Sequence, residues 1–295
     1  MIAAFLVAPR DSIRLDTFRV TSGLVLLVYM AHWWLDDALE WLTVGGFHLS
    51  PAAAGSVWLT PPPLPMWALA PFGVAFFGAL LAFTLGFRLP WSAGLAFLLL
   101  GYVTHVDPLA AFTPNNLFLA VLAVFAVLPR GAWWTVDRRP APPLSVWPVR
   151  LFQATLVALY FTAGTCKVLY GDWLSDSHVL LSQVQGPFRT ESAAWLLRHL
   201  PPEAFSILQS LSLAFELLSP LLFAVPRLRR VGFWWGMGMH LGIALTMNEI
   251  GYLSLQTVAF YVLFMEDATL HAWRQGLAAL GGRAFGAGAS RPLPG

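Results

Sequence analysis

An all-α, polytopic transmembrane helical bundle of about eight spans, with roughly seven to nine as the range, is the fold this sequence predicts, and three observations predict it. Hydrophobic residues fill 58% of the 295 positions and charged ones only 11%, a balance suited to lipid rather than water as the surrounding solvent. Apolar stretches of membrane-crossing length recur along the chain between short polar connections. If those stretches alternate in direction, fourteen arginines fall on one side, against two arginines and one lysine on the other. The positive-inside rule then puts both termini in the cytoplasm.

The elements follow in order. The opening MIAAFLVA lacks a basic start and is too short for a cleaved signal, so it reads as an interfacial cap. Spans are expected at about 17–35, 66–86, 91–106, 115–129, 149–169, 205–225, 229–248 and 251–265, with the third, fourth and eighth short of the usual ~20 residues. The cytoplasmic side takes Arg10, Arg14, Arg19, Arg88, Arg130, Arg138, Arg139, Arg150, Arg227, Arg229, Arg230, Arg274, Arg283 and Arg291. External segments carry Asp36, Asp37, Glu40, Asp107, Asp172, Asp176, Glu191 and Glu203 instead. Segment 36–65, with Trp41, Trp58 and three consecutive prolines, is expected along the membrane surface. Segment 170–204 contains an amphipathic run from Glu191 to Leu200 and is expected to fold back as a lid over span five. The tryptophans near span ends, Trp173 among them, read as an aromatic belt. Residues 1–268 form the transmembrane domain, and 269–295 a cytoplasmic tail that starts as an interfacial helix and ends disordered. Scattered basic residues give no nucleic-acid surface. Membrane lipid is the first partner.

Ionisable groups inside spans are costly and point to function. Lys167 is the only lysine; the other sixteen basic residues are arginine. An amine can lose its proton in an apolar setting and serve as a base, which a guanidinium does not do. Snorkelling to the headgroups is the other role open to it. Its neighbour Cys166, the sole cysteine, excludes an internal disulfide and reads as a small packing residue. Glu216 and His240 each lie about 16 Å into their helices, near the midplane, and could meet. Pro220 cannot donate to the Glu216 carbonyl, which leaves a free acceptor there. Gly232, Gly236 and His240 share one helix face, as do Tyr160, Gly164 and Lys167. A structural hydrogen bond between helices is the alternative role for His240 and Glu216. Glu249 reads as a solvated turn residue, Asn115 and Asn116 as a helix cap, and Asp137 as a loop residue among arginines. The seven histidines are widely separated, and no metal site is expected.

The stretch Tyr160-Phe-Thr-Ala-Gly-Thr-Cys-Lys-Val-Leu-Tyr-Gly-Asp-Trp173 resembles a segment of the vitamin K-dependent gamma-carboxylases and of the wider horizontally transferred transmembrane domain family. Arg14-Leu-Asp-Thr-Phe-Arg19, Asn115-Asn116, Trp134-Thr-Val-Asp137 and Met239-His240 followed by Ile250-Gly-Tyr-Leu-Ser254 occur in the family's order, so the resemblance covers nearly the whole chain. It implies a multi-pass protein of the cell membrane in which Lys167 is the base that deprotonates a vitamin K-like hydroquinone, menaquinol being the bacterial candidate. His240 would share the catalytic site, and Tyr160, Gly164, Glu216 and Asn116 would line a hollow for the cofactor. Leu117 stands where the carboxylases have a histidine after the asparagine pair. The carboxylases also continue into a large lumenal domain, so a complete protein-glutamate carboxylase is not expected. A non-catalytic factor for maturation, export or immunity of a secreted peptide, or one serving a partner chain, is the competing reading.

Overall fold

The computed structural model describes residues 8–46, 48, 60–106, 113–129, 131–137 and 144–280. The first seven residues of the cap, Trp58, Asp107, Arg130, Arg138, Arg139, and the end of the tail with Arg283 and Arg291 lie outside the described residues, as do the side chains of Asp37 and Glu249. Among the described residues the architecture is all-α apart from one two-residue antiparallel pair. The helices are α1 (Ile13–Leu42), α2 (Met66–Leu85), α3 (Leu89–His105), α4 (Thr113–Val127), α5 (Trp147–Tyr170), α6 (Val179–Gln185), α7 (Glu191–His199), α8 (Pro202–Ala224), α9 (Arg229–Thr246), α10 (Asn248–Tyr261) and α11 (Asp267–Leu280). A single 3-10 turn, Val262–Phe264, extends α10. Each of the eight expected spans therefore has a helix.

Four of them, α1 over Ile13–Asp36, α2, α5 and α8, are long and apolar enough to cross a membrane, and α4 and 250–264 are shorter apolar helices. Their flanks carry what a soluble protein hides: Leu35, Val74, Leu98 and Val127 are exposed. Such surfaces suit acyl chains. Helix association then rests on close packing and interhelical hydrogen bonds rather than on expulsion of water.

Helices α1 and α10 pack against each other, with α2, α3 and α4 following from α1 on one flank and α5, α8 and α9 adjoining α10 on the other. Phe18 anchors this centre, with ring centroids 4.9 Å from Phe152 and 4.8 Å from Phe260. Aromatic pairs of this kind contribute about 0.5–1.5 kcal/mol each beyond area burial. The turn between α2 and α3 needs two left-handed residues, Gly86 (φ 71°) and Arg88 (φ 43°), and Gly86 also lies against the Thr135 side chain.

Three helices end where arginines begin. Arg19 donates to the carbonyls of Phe83 (2.8 Å) and Thr84 at the end of α2. Arg229 donates to Phe223 (3.3 Å) at the end of α8, and Arg14 to Leu263 (3.4 Å) in the turn after α10. Each supplies donors and positive charge to carbonyls that have no partner within their own helix.

Two expectations need correction, and one pairing was not expected. Residues 36–42 continue α1 instead of lying on the surface, and the chain returns through Thr43 and Leu64, which are bridged by Val44 N–H to Leu64 (3.0 Å) and Leu64 N–H to Leu42 (2.7 Å). Segment 170–204 reaches over α5 only at its start, where the Trp173 ring lies against Lys167; the rest is carried elsewhere. Its helix α6 packs on α8 and its helix α7 on α9, and residues 188–190 zip onto the α9–α10 turn through Thr190 N–H to Thr246 (3.2 Å) and Asn248 N–H to Phe188 (2.9 Å). Strand β1 (Pro9–Arg10) pairs with β2 (Leu144–Ser145), tying the N-terminus to the start of α5; two residues each are too few to leave a periodic signal.

Helix α11 docks on the start of α1. Arg14 meets Asp267 at 2.8 Å, His271 meets Asp11 at 2.8 Å, and Leu270 is buried with Ile13 and Val262. Trp273 and Leu277, four residues apart, remain exposed on its other face.

Candidate functional site

One face of α5 builds the site. Tyr160, Gly164 and Lys167 point toward α8 and α9, as their spacing predicts. Gly164 makes the approach possible: a Cβ there would sit 2.9 Å from the Glu216 Cβ and 3.2 Å from the Leu217 backbone nitrogen on α8. At this separation Lys167 reaches Glu216 with both carboxylate oxygens, Nζ to Oε1 at 2.6 Å and to Oε2 at 2.8 Å. The Lys167 side chain is 26% exposed and that of Glu216 9%, so the pair is reachable from one side only. The Trp173 ring closes the open side, its centroid 4.1 Å from Nζ. A partly exposed cation held over indole in this way is favoured by about 0.5–1 kcal/mol.

Two turns earlier on α5, a second polar group is fully enclosed. The Tyr160 hydroxyl lies 2.6 Å from His240 Nε2 and 2.9 Å from the Tyr261 hydroxyl. His240 Nδ1 faces Thr257 Oγ1 at 3.0 Å and Ser254 Oγ at 3.3 Å. Gly236 makes room for this group, since a Cβ there would collide with the Tyr261 hydroxyl and the Phe215 ring. Gly232 does the same against Leu222. The two groups share one face of α5, with Tyr160 in one and Lys167 in the other.

Several expected residues are thus brought together and others are not. Glu216 and His240 do not meet; Lys167 takes the first and Tyr160 the second. Asn116 is exposed on α4, whereas Asn115 is buried. The asparagine that lines no part of the cluster is therefore the one assigned to the cofactor, and the reason is angular, because consecutive helical residues diverge by about 100°. Gln256 donates to the Pro114 carbonyl (3.1 Å) beside Asn115, so that end of α4 is braced by α10. The Glu216 carbonyl that Pro220 leaves without an N–H is taken by Ser219 Oγ at 2.8 Å, so the expected free acceptor is filled. Cys166 is exposed, with a free thiol. The hollow expected among the helices is filled by rings, with Tyr160 5.0 Å from Phe215 and 5.5 Å from His240.

Gln209, Thr257 and Tyr261 were not singled out by sequence, and Trp173 and Ser254 entered only as belt or motif residues with no role at the site. A signal existed for three of them: Ser254, Thr257 and Tyr261 recur at intervals of three and four, a single polar stripe on α10. Two shallow outer grooves, of about 460 Å³ (Glu191, Ser192, Trp195, Leu196, Leu245) and about 440 Å³ (Ser206, Ile207, Ser210, Leu211, Ala214), do not include the polar cluster. No group of three or more metal-ligating side chains gathers among the described residues.

What the arrangement can do is move a proton beside a fixed cation. Both carboxylate oxygens of Glu216 already face the Lys167 ammonium, so a proton arriving at Glu216 leaves that ammonium to neutralise whatever anion gave it up. A family model described as the HTTM domain matches residues 7–268. No curated protein and no solved structure matches the chain.

Proposed function

Because the chain belongs to the HTTM domain family and is a membrane protein, we propose that the Lys167–Glu216 pair is the working site of a quinol-dependent enzyme in the cell membrane. The bundle has eight spans with both termini cytoplasmic, and residues 1–268 form its functional domain. The alternation of helix starts and arginine-capped helix ends on one side supports that topology. In it the pair lies toward the outer leaflet, at the C-terminal end of α5.

The ligand is a prenylated hydroquinone, menaquinol or another vitamin K-like quinol, which would bring an acidic phenol and, once ionised, electrons for dioxygen. The pair fits such a group: a phenolic oxygen needs a base to take its proton and a cation to hold its charge. The free-amine base of the sequence reading is modified accordingly. Lys167, engaged by both oxygens of Glu216, keeps its proton and holds the phenolate; Glu216 takes the phenolic proton. As the O–H bond breaks, its electron pair stays on the phenolic oxygen. Tyr160, His240 and Tyr261 form a separate hydrogen-bonded group two turns away along the same face of α5. The single observation that carries this reading is the two-oxygen contact of the sole lysine with a buried carboxylate, open on one side.

Solvent extraction of the purified protein followed by mass spectrometry should recover a quinone, and Lys167→Ala should abolish quinol-dependent oxygen uptake; undiminished uptake in that variant removes the mechanism. One observation favours the competing reading, a non-catalytic factor for a secreted peptide: the groove between α7 and α9 on the outer surface. A peptide that co-purifies with Lys167→Ala but is lost on altering Trp195 would support it.

A further inference from the structure

Gln209 lies on α8 two turns before Glu216, and hence on the same face. It is 2% exposed, and its carboxamide is fully committed. Nε2 donates to the backbone carbonyls of Trp173 (3.0 Å) and Asp176 (2.7 Å), while Oε1 accepts from Leu180 N–H (3.0 Å). One turn away, Ser206 Oγ donates to the Ser177 carbonyl at 2.8 Å. Every one of these partners is a backbone group in 173–180, the stretch that carries the indole over Lys167. Between α5 and α6 that stretch has no helix of its own, and its side chains are mostly exposed. Its position is set by what α8 offers it.

The geometry points to a door: residues 172–178 close the Lys167–Glu216 pair with Trp173 as the leaf, and Gln209 is the positioning residue that latches it. The physical reason is the kind of bonding. A loop held by packed apolar side chains would open only by exposing them, whereas the two amide bonds and one hydroxyl bond that hold 172–178 can be exchanged for water at the outer face with small net cost. The ring-to-ammonium contact adds a fastening at the site itself, one that a ligand able to satisfy the ammonium would replace. Buried Gln209 and buried Glu216 thus serve consecutive tasks on one helix face, holding the cover and holding the amine. The inference concerns access to Lys167 and does not depend on which molecule enters.

Because the chain has a single lysine, acylation of that side chain by a small amine reagent can be followed by peptide mass spectrometry on the full protein in nanodiscs. Gln209→Glu keeps the acceptor for Leu180 N–H and removes both donors; Trp173→Ala removes the leaf. Each should raise the acylation rate of Lys167 about tenfold, the factor expected from losing one or two such contacts. Alkylation of Cys166, exposed one residue away, should stay at the wild-type rate, showing that α5 itself is intact. An unchanged Lys167 rate in Trp173→Ala overturns the door, and an unchanged rate in folded Gln209→Glu overturns the latch. Should Gln209→Glu not fold, Ser206→Ala decides the latch by the same readout, with a smaller rise expected and no rise overturning it.

Discussion

Two acid–base pairs are buried in this bundle, and they differ in what is left over. Asp16 and Arg19 sit near the N-terminal end of α1; Arg19 is 0% exposed and Asp16 2%. Arg19 spends its fork on the carbonyls of Phe83, Thr84, Trp133 and Trp134, and Asp16 accepts from Trp133 N–H at 3.0 Å. The two charges are themselves 3.8 Å apart, so the backbone rather than the partner satisfies them. Lys167 and Glu216 are the reverse: their contact is direct, and the remaining side of the ammonium faces an indole and stays partly exposed. A pair held mainly by main-chain groups is a fastener, and a pair with a replaceable neighbour is a site. Burial alone does not separate them.

The sharpest way to break this comparison is Arg19→Ala. It strands Asp16 and removes donors from the end of α2 and from the 133–134 turn, so a loss of about 3–5 kcal/mol is expected, read as loss of folded protein in detergent unfolding curves. A variant that folds normally would show that the node is not a fastener. Gly236→Ala comes next: its Cβ would press on Tyr261 and Phe215, for about 1–3 kcal/mol of overpacking in the same assay. At the other pair, Lys167→Met alone leaves a buried carboxylate unpartnered and should destabilise, while Lys167→Met with Glu216→Gln should recover most of that loss. Equal stability of the single and double variants would place Lys167 among the fasteners. Tyr160→Phe removes the hydroxyl between His240 and Tyr261 and should cost about 1 kcal/mol by denaturation.

The smallest effect is a pH dependence outside the spans. Partial burial opposes the charge on Asp11, but Ile13 N–H, His271 and Trp133 outweigh it and hold this carboxyl below its ordinary value. A carboxylate with a lowered folded value stabilises above the unfolded range, about pH 3.9, and that contribution is lost as pH falls through the folded value. Hydrogen exchange over 267–280 should therefore quicken only in that acidic window. Unchanged protection there would show that α11 is held by Arg14–Asp267 and packing alone.

How much of this was legible depended on whether the information was periodic. The faces Tyr160–Gly164–Lys167 and Gly232–Gly236–His240 follow from helical spacing, and the structure buries the glycines of both against neighbours. The element order was likewise readable, since apolar length is a local property. Partners were not. Arg14-Leu-Asp-Thr-Phe-Arg19 and Trp134-Thr-Val-Asp137 were recognisable as two motifs, yet only the folded chain makes them one object, with Arg19 donating to the Trp134 carbonyl at 2.7 Å. Trp134 adopts φ 54°, an uncommon conformation for a bulky residue, to present that carbonyl. Trp173 was absorbed into the aromatic belt because tryptophan at a span end is usually that, and no spacing rule links it to Lys167. Asn115 and Asn116 show the limit at its narrowest: neighbours in sequence, but only the tertiary partner of α4 decides which turns inward.

Arg14 has a consequence for how the chain is made. Its partners, the Leu263 carbonyl and the Asp267 carboxylate, lie 249 and 253 residues further on. The opening helix must wait at the bilayer with that cation unmatched until nearly all of the chain has left the ribosome. A product cut short before residue 263 keeps the cation and lacks both of these partners.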